Sequence, residues 1–277
     1  KGKATKVVFT EYDLPREEIQ PHDVILDQQG NPWYSNFGEQ FVGMVDAKTG
    51  AHKEYAVPVH KPGFPNGSLS LRADKTGMFW FGNMYQGTLY RLDPKTAKME
   101  AFPLPKEANV DQAQLNMSAP ESIQVDNKIW TQNNGFAGVH RLDLTTGKPL
   151  WESAIEPVHK TFEEHKAQGM KDRRATRNRP GRPYGMLLLV DNVLLVPDLH
   201  ARVSLFDKNN RLIVHLGYDP QWTQQVLGEG KFPVRGNRAL WQEGKFIHPH
   251  DACFGADGSI YVAEWVATGR VSKLKKI

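Results

Sequence analysis

Residues 21–50 read PHDVILDQQGNPWYSNFGEQFVGMVDAKTG, and residues 249–276 read PHDACFGADGSIYVAEWVATGRVSKLKK. Both stretches open with Pro-His-Asp, continue with a short apolar run and a glycine-containing turn, and then enter a second apolar run. That second run ends at Asn36 in one stretch and at Glu264 in the other, in both cases 15 residues after the proline. A unit that recurs with a fixed internal spacing indicates a repeat architecture.

Three further stretches fit the same unit. Their triplets begin at Pro65, Pro120 and Pro183, and their second apolar runs end at Asn83, Asn133 and Asp198. The corresponding spacings are 18, 13 and 15 residues, and differences of this size fit within a hairpin turn. A third apolar run follows, closed by a turn such as residues 46–50, and then a fourth. Four short strands joined by three turns are typical of one β-propeller blade.

The sequence therefore predicts an all-β, single-domain β-propeller over residues 1–277, with five or six four-stranded blades and seven as the upper limit. The chain ends on a third-strand pattern at residues 270–274, whereas residues 7–15 match a fourth strand. We expect this N-terminal strand to close the last blade and remove an open sheet edge. Helices are expected only between units, at about 162–169 and 220–227. The long intervals contain a basic insertion at about 153–182 and a loop insertion at about 218–247.

Composition narrows the class of protein. With 10% aromatic and 24% charged residues, the chain has the composition of an ordinary folded protein. No apolar run reaches 18 residues, so no membrane span is expected. The sequence starts at Lys1 without a hydrophobic leader, which we interpret as a processed periplasmic or secreted form or a trimmed chain. The single Cys253 lies in an apolar run and is expected to be a buried core thiol.

The basic insertion has two interpretations. Residues 166–182 contain seven Lys or Arg residues, Arg174 among them, and one acidic residue. This stretch is either a solvated loop or a patch that binds an anionic substrate or a protein partner. A nucleic-acid partner is not expected, because no aromatic residue is interleaved with the basic ones.

Candidate site residues follow from blade geometry. The innermost strand of each blade lines the central channel, so the residues at its start lie around one axis. By the proline alignment these residues are His22, Asn66, Glu121, Tyr184 and His250. Their side chains can bind a metal ion or a polar ligand. A second set, here called the strand-end residues, comprises Asn36, Asn83, Asn133, Asp198 and Glu264. These either contribute to the site or satisfy turn amides.

The two Pro-His-Asp units resemble the repeat of the streptogramin B (virginiamycin B) lyase-like propellers, an NHL-type repeat that extends over all five units. The last unit also resembles the terminal blade of peptidyl-hydroxyglycine amidating lyases, where the histidine of such a triplet is a zinc ligand. The first resemblance implies a lyase whose catalytic histidine and glutamate fall on His250 and Glu264. This chain has Ala267 where that family has a second histidine.

The resulting hypothesis is a metal-assisted C–O bond elimination on a small polar substrate. A divalent ion, with Mg²⁺ or Ca²⁺ favoured and Zn²⁺ as the alternative, polarises a carbonyl group. The predicted metal ligands are His22, Glu121, Asp198 and His250. His250 and Glu264 are the predicted catalytic residues, with Tyr184 as proton donor. The predicted substrate contacts are His22, Asn66, Asn36, Asn83, Asn133 and Arg174.

Two alternatives stay open. The propeller could be a non-enzymatic binding or docking module of a larger protein or complex, with a polar channel filled by water. It could also be a calcium-dependent lactonase or esterase-like hydrolase. Glu121, Asn83, Asn133 and Asp198 resemble the Glu/Asn/Asn/Asp calcium site of gluconolactonase-like propellers.

Overall fold

The computed structural model describes residues 7–106, 108–111, 113–116, 128–133, 138–144, 150–154, 188–190, 193–207, 209, 211–266 and 269–276. These residues form 20 strands in five four-stranded sheets, with neighbouring strands antiparallel. In chain order the strands are β1 Val7–Asp13, β2 Pro21–Leu26, β3 Pro32–Asn36, β4 Phe41–Val45, β5 His52–Ala56, β6 Ser68–Ala73, β7 Phe79–Asn83, β8 Thr88–Leu92, β9 Met99–Pro103, β10 Leu115–Asn116, β11 Lys128–Asn133, β12 Gly138–Asp143, β13 Leu150–Ala154, β14 Leu188–Val190, β15 Val193–Asp198, β16 Arg202–Phe206, β17 Leu212–Leu216, β18 Pro249–Phe254, β19 Ile260–Glu264 and β20 Arg270–Lys276.

Each sheet is one blade of a β-propeller. Blades 1 to 4 follow the chain as β2–β5, β6–β9, β10–β13 and β14–β17. Blade 5 has the order β1-β20-β19-β18, so the N-terminal strand is its outermost strand. Val7 pairs with Lys276 and Asp13 pairs with Arg270. The predicted fold and its closure by the N-terminal strand are confirmed, and the described residues form five blades.

The inner strands bring the blades together. Strand β18 of blade 5 contacts β2 of blade 1, β2 contacts β6 of blade 2, and β14 of blade 4 contacts β18. Strand β10 of blade 3 contacts both β6 and β7 of blade 2. At Gly82 a Cβ would overlap the backbone carbonyl of Leu115, so glycine is required for this close approach.

The apolar core lies between adjacent blades. Trp33 packs with Phe81 between blades 1 and 2, Trp80 packs with Leu115 between blades 2 and 3, and Tyr261 contributes to the cluster between blades 5 and 1. These three aromatic side chains are at most 3% exposed. Trp33, Trp80 and Tyr261 therefore occupy the interblade packing positions that strand alternation predicts.

Turn chemistry explains why the strands end where they do. Asp46 Oδ1 accepts hydrogen bonds from Lys48 N at 2.9 Å and from Thr49 N at 2.8 Å. Gly50 closes this turn with a φ of 74°, in the left-handed region that glycine adopts without strain. The aspartate side chain thus satisfies turn amides that no strand partner reaches.

The helix expected at about 220–227 is present as α1, Pro220–Leu227. Asp219 caps its N-terminus by accepting hydrogen bonds from two backbone amides, and Gly228 ends it in the left-handed conformation. Trp222 is buried and donates from Nε1 to the carbonyl of Phe246 at 2.5 Å. No helix in the described part of the chain is long and apolar enough to cross a membrane.

Candidate functional site

Strand register defines equivalent positions in the blades. The first residue of an inner strand pairs with a strand-end residue, and the pairs are Pro21 with Asn36, Ser68 with Asn83, Leu115 with Asn133 and Pro249 with Glu264. The next residue along the chain, which we call the axial position, is His22, Leu69, Asn116 and His250 in blades 1, 2, 3 and 5.

The predicted axial residue of blade 2 is therefore corrected, and the described residue at this position of blade 3 is Asn116. Asn66 lies two residues before its strand, and Glu121 falls five residues after Asn116. The cause is that the proline does not have the same place in every blade. It starts the inner strand in blades 1 and 5, and it lies three residues before the inner strand in blade 2. In blade 3 it comes five residues after the first residue of the strand in the sequence. The buried Asn66 accepts a hydrogen bond from Asn83 Nδ2 and donates to the backbone carbonyl of Val57.

The two axial imidazoles lie against each other where blades 1 and 5 meet. The ring centroids of His22 and His250 are 4.1 Å apart, with 49° between the ring planes. His250 Nδ1 lies 2.8 Å from the backbone carbonyl oxygen of His22, which can only accept a hydrogen bond. His22 Nδ1 lies 2.8 Å from Asp23 Oδ1. We assign the proton to Nδ1 in both rings on this geometry, so both Nε2 lone pairs remain available for a ligand.

Electrostatics keep His250 neutral. Burial and the neighbouring His22 lower the pKa of His250 to about 4. The imidazole of His250 is therefore uncharged at neutral pH, which is the form that binds a metal ion. The side chains of His22 and His250 remain 14% and 13% exposed, so a small ligand can reach them from solvent.

Asp23 orients His22 from a fully buried position. In addition to His22 Nδ1, its carboxylate accepts from Leu71 N at 3.0 Å and from Arg72 Nη1 at 2.7 Å. Burial alone would raise the pKa of Asp23, but the charge of Arg72 and the hydrogen bond from His22 hold it well below its usual range. The result is a carboxylate–histidine pair of the kind that positions metal-binding imidazoles.

Asp251 is the counterpart of Asp23 in the last triplet, yet it contacts a different set of groups. Its Oδ2 accepts from Val24 N at 3.0 Å and lies 3.9 Å from Arg72 Nη1. Burial and the charge of Asp23 raise the pKa of Asp251 above its usual range. Both aspartates join neighbouring blades, because Asp23 reaches Leu71 in blade 2 and Asp251 reaches Val24 in blade 1.

Aromatic side chains form one wall beside the imidazoles. Phe37 and Trp265 occupy equivalent positions directly after their strand-end residues, and their rings lie 5.8 Å apart. Phe37 is stacked on His22 at 5.9 Å, and Trp265 meets His250 edge to face at 5.6 Å. Arg235 covers the outer part of this wall, with Cζ 3.8 Å from the Trp265 ring centroid.

His248 adds a third imidazole two residues from His250. It is 2% exposed, and its Nδ1 lies 2.7 Å from the carbonyl oxygen of Leu199. Its Nε2 is buried and has no hydrogen-bond partner among the described residues. A buried polar atom without a partner is rare in proteins and points to a ligand, a water molecule or a catalytic role.

The strand-end residues have a structural function in every blade. All five are at most 6% exposed. In three blades the side chain accepts from a backbone amide just before the inner strand, and these bonds are Gln20 N to Asn36 Oδ1 (3.0 Å), Gln114 N to Asn133 Oδ1 (3.2 Å) and Ile247 N to Glu264 Oε2 (2.6 Å). Asn83 accepts instead from Ser68 Oγ at 3.1 Å. These side chains hold the inner strand to its neighbour, as the turn-amide interpretation expects.

Glu264, the predicted catalytic carboxylate, is committed to this network. Its Oε1 accepts from Arg270 Nε at 2.8 Å and from Ser272 Oγ at 2.9 Å, in addition to the Ile247 contact of Oε2. Among the described residues it shares no hydrogen bond or ion pair with His250. The structure therefore corrects the pairing of Glu264 with His250: the carboxylate faces a buried arginine.

Asp198, a predicted metal ligand, is also engaged elsewhere. Its Oδ1 accepts from the backbone amide and from Nδ1 of His200, at 3.0 and 2.5 Å, and its Oδ2 accepts from Arg202 Nε at 2.9 Å. The described residues that come together as potential metal ligands are instead His22, Asp23 and His250. The predicted ligands His22 and His250 thus lie together, and Asp198 is not part of their cluster.

Three predicted site residues, Glu121, Tyr184 and Arg174, lie outside the described residues, as does residue Ala267. The same holds for residues 155–182 of the basic insertion and for the helix expected at about 162–169. These predictions stay as they were made.

Several residues of the site are absent from the sequence-based prediction. Asp23 and Asp251 are among them, although a Pro-His-Asp triplet that occurs twice in one chain is itself a signal. Arg72 stands inside the apolar strand β6 and is 9% exposed, so a buried charge pair was detectable there. Arg235 and Trp265 gave no such signal, because their contact joins a loop to a distant strand end.

The residues present fit a transition-metal ion better than Mg²⁺ or Ca²⁺. His22, Asp23 and His250 form a close cluster, in which one potential ligand atom of each lies within 4.8 Å of the others, and Asp23 lies on the Nδ1 side of both rings. Imidazole nitrogen is a preferred ligand of Zn²⁺, whereas Ca²⁺ and Mg²⁺ prefer sets of oxygen atoms. The predicted oxygen-rich set is not assembled by the described residues, because Asp198 is paired with His200 and Arg202.

Comparison with known proteins shows similarity of fold. No protein-family model matches the sequence, and no curated protein matches it. Among solved structures, the WD40 repeats of RRP9 align with a TM-score of 0.57 at 9% identity, covering 97% of this chain and 99% of that chain. Glutaminyl cyclase from Myxococcus xanthus aligns with a TM-score of 0.49 at 10% identity, covering 98% and 95%. Virginiamycin B lyase from Staphylococcus aureus aligns with a TM-score of 0.40 at 12% identity, covering 98% and 100%. At 9% identity, the likeness to the WD40 repeats of RRP9 shows the β-propeller fold alone.

Proposed function

We propose that this propeller holds a divalent metal ion of the zinc class through Nε2 of His22 and Nε2 of His250, and that it acts as a lyase-like enzyme on a small polar substrate. One observation carries the proposal: both axial imidazoles donate from Nδ1, to Asp23 and to the carbonyl of His22, which leaves both Nε2 atoms for a ligand. A histidine whose other nitrogen is held by a carboxylate or carbonyl is the usual form of a metal-binding histidine.

The chemistry divides among the residues as follows. A bound ion supplies Lewis-acid polarisation of a substrate carbonyl and so acidifies the neighbouring C–H bond. Asp23 keeps the proton of His22 on Nδ1, and the carbonyl of His22 does the same for His250. Phe37 and Trp265 restrict water on one side of the imidazoles.

We assign the role of proton acceptor to His248 in place of Glu264. The carboxylate of Glu264 is occupied by Arg270, Ser272 and Ile247, whereas the buried Nε2 of His248 has no partner among the described residues. In a C–O elimination, His248 Nε2 would take the proton from carbon while the C–O bond breaks. The leaving oxygen then receives a proton, and Tyr184 is the residue predicted to donate it.

The first test is metal binding. We expect the protein, loaded with Zn²⁺ and then desalted, to retain the metal by mass spectrometric metal analysis. A chelator should lower its melting temperature. The variants His22→Ala and His250→Ala should retain no zinc, whereas His60→Ala, at an exposed histidine outside the cluster, should retain it as the wild type does. A wild-type protein that binds no divalent ion would overturn the proposal.

The second test separates elimination from hydrolysis. Ester and lactone substrates with an acidic C–H beside a carbonyl would be incubated with the zinc-loaded protein in water enriched in ¹⁸O. Elimination breaks the alkyl C–O bond, so the released acid carries no ¹⁸O and an alkene appears by its ultraviolet absorbance. Hydrolysis would place one ¹⁸O in the acid and would favour the hydrolase alternative. Zinc binding without turnover of any substrate would favour the binding module.

A further inference from the structure

Arg235 differs from the other arginines whose side chains are described. Every other partly or fully buried one is paired with a carboxylate, and these pairs are Arg16 with Glu39 and Glu54, Arg72 with Asp23, Arg91 with Glu100, Arg202 with Asp198, and Arg270 with Glu264 and Glu11. Arg235 is half-buried, and no carboxylate of the described residues lies within ion-pair distance of it. A desolvated charge without a counter-charge is costly, so such an arginine calls for an anionic partner.

The loop before blade 5 fixes this guanidinium in place. Its Cζ lies 3.8 Å from the centroid of the Trp265 ring, so the two planar groups are in direct contact. Such a cation–π contact is attractive and holds the guanidinium against the indole ring. The five N–H donors lie in the plane at its edge and remain available for hydrogen bonds. Burial lowers the pKa of Arg235 below its usual value, but an arginine stays protonated at neutral pH.

The backbone of this loop is held in an unusual conformation. Glu229 and Phe232 have φ angles of 54° and 51°, in a region that residues other than glycine rarely adopt. Phe232 meets the His248 ring edge to face at 5.3 Å, and Trp241 Nε1 donates to the carbonyl of Val234 at 3.0 Å. The loop therefore presents Phe232 and Arg235 to the same side of the molecule as His248 and Trp265.

Arg235 lies next to the candidate metal site. The Trp265 ring contacts both groups: its centroid lies 3.8 Å from Arg235 Cζ and 5.6 Å from the centroid of the His250 ring. The indole Nε1 of Trp265 is buried and, like His248 Nε2, has no partner among the described residues. The Trp265 ring that meets His250 thus carries an unpaired donor and meets an unpaired cation, and His248, two residues before His250, carries an unpaired acceptor.

We propose that Arg235 binds a carboxylate group of the substrate, beside the atom that the metal ion contacts. The substrate is then a small organic acid with an oxygen group next to its carboxylate, held at two points by Arg235 and by the His22–His250 site. The planar guanidinium edge matches a carboxylate through two parallel hydrogen bonds. The metal-binding half of this inference rests on the proposed function, whereas the Arg235 contact does not.

The test uses glycolate as the carboxylate probe, with glycolamide as its neutral counterpart and inorganic phosphate as the competing anion. Binding would be measured by isothermal titration calorimetry on the wild type, on Arg235→Gln and on Arg211→Gln, with and without zinc. Arg211 is an exposed arginine without a carboxylate partner among the described residues, so its variant is the matched control. Zinc affinity would be measured separately for each protein.

We expect glycolate to bind the wild type at least tenfold more tightly than glycolamide does. Arg235→Gln should weaken glycolate about ten- to a hundredfold, as expected for the loss of charge-assisted hydrogen bonds, with zinc affinity and the Arg211→Gln control unchanged. Arg235→Lys keeps the charge but loses the planar guanidinium edge with its two parallel donors, so it should bind glycolate with intermediate affinity.

Several results would overturn the inference. They are equal glycolate affinity in Arg235→Gln and the wild type, no glycolate binding at all, or tighter binding of phosphate than of glycolate. Failure of the proposed function gives a different result: zinc does not bind, yet glycolate still binds the metal-free protein and is lost in Arg235→Gln.

Discussion

The axial position and the strand-end position lie one strand apart in the same repeat, yet their side chains are in opposite states. Every strand-end side chain is buried and bonded, as Asn133 is to the amide of Gln114 and the carbonyl of Ala108. The axial histidines His22 and His250 are bonded at Nδ1 only and are still partly exposed. Polarity alone therefore does not identify a functional site in a propeller. An unused hydrogen-bonding atom marks it better.

Two acid–base pairs, one at each of these positions, differ in the same way. Glu264 and Arg270 are both at most 1% exposed and neutralise each other, which is a structural arrangement. Asp23 and His22 are also paired, but there the pairing prepares the far nitrogen of the imidazole for a ligand. Predictions on stability and on metal binding should therefore fall on different residues.

The largest expected effect on stability is at Glu264. Glu264→Gln leaves the buried Arg270 with only the more exposed Glu11 as counter-charge, at 3.1 Å, and the loss should be about 3–5 kcal/mol in the free energy of unfolding. Urea unfolding measures it. Ser272→Ala, which removes one neutral donor to the same carboxylate, should cost about 1 kcal/mol. A Glu264→Gln protein that keeps wild-type stability but loses activity would return Glu264 to a catalytic role.

A smaller loss is expected at Asn133. Asn133→Ala leaves the amide of Gln114 and the carbonyl of Ala108 without their partner, and should cost about 1–3 kcal/mol. Thermal unfolding would show this as a lower melting temperature. Zinc affinity should stay at the wild-type level, and a parallel loss of zinc affinity would contradict the structural role of the strand-end residues.

The contribution of Asp198 should depend on pH. Burial alone would raise its pKa, but His200 and Arg202 lower it below the usual value. A carboxyl group whose pKa is lower in the folded protein contributes its full stability above the unfolded pKa, and this contribution is lost as the pH falls through the folded pKa. Asp198→Asn should therefore be less stable than the wild type at neutral pH. The difference should narrow in acid, as followed by urea unfolding at several pH values. A difference that widens in acid would contradict the assignment.

The two triplet aspartates, Asp23 and Asp251, should differ in their effect on zinc affinity. Asp23→Asn loses the carboxylate that holds His22 Nδ1, and zinc affinity should fall about 10–100-fold. Asp251→Asn is the matched control, because Asp251 is the buried aspartate at the equivalent position of the last triplet but accepts from Val24 N instead of from an imidazole. Its zinc affinity should stay near that of the wild type. Equal losses in the two variants would mean that both aspartates act through general stability.

Much of the fold follows from the sequence because propeller repeats are local. The apolar runs, the Asp46 turn and the fourth-strand pattern of residues 7–15 each reflect contacts within one blade, and they predicted the architecture and its closure. The proline alignment failed in blades 2 and 3 because proline is tolerated at a strand start without being required there. Register depends instead on pairs such as Ser68 with Asn83, which the sequence does not reveal.

The candidate site was predictable only in part. His22 and His250 stand at the axial position in the two best-preserved units, so their proximity follows from the ring of blades. For Glu264 the sequence leaves a site role and a structural role open, and the choice between them depends on Arg270, which the hairpin pairing of β19 with β20 brings to the carboxylate. Arg235 comes from a loop, and nothing in its local sequence indicates that it packs on Trp265.

The most direct test of the account is a Zn²⁺ titration of the wild type, His250→Ala and His60→Ala against a chromophoric chelator at neutral pH. We expect one tightly bound zinc ion per chain for the wild type and for His60→Ala. His250→Ala should not compete with the chelator for zinc. Its free energy of unfolding without metal should lie within about 1 kcal/mol of that of the wild type. Zinc binding that is unchanged in His250→Ala, or absent from the wild type, would contradict the claim that the axial histidines form a metal site.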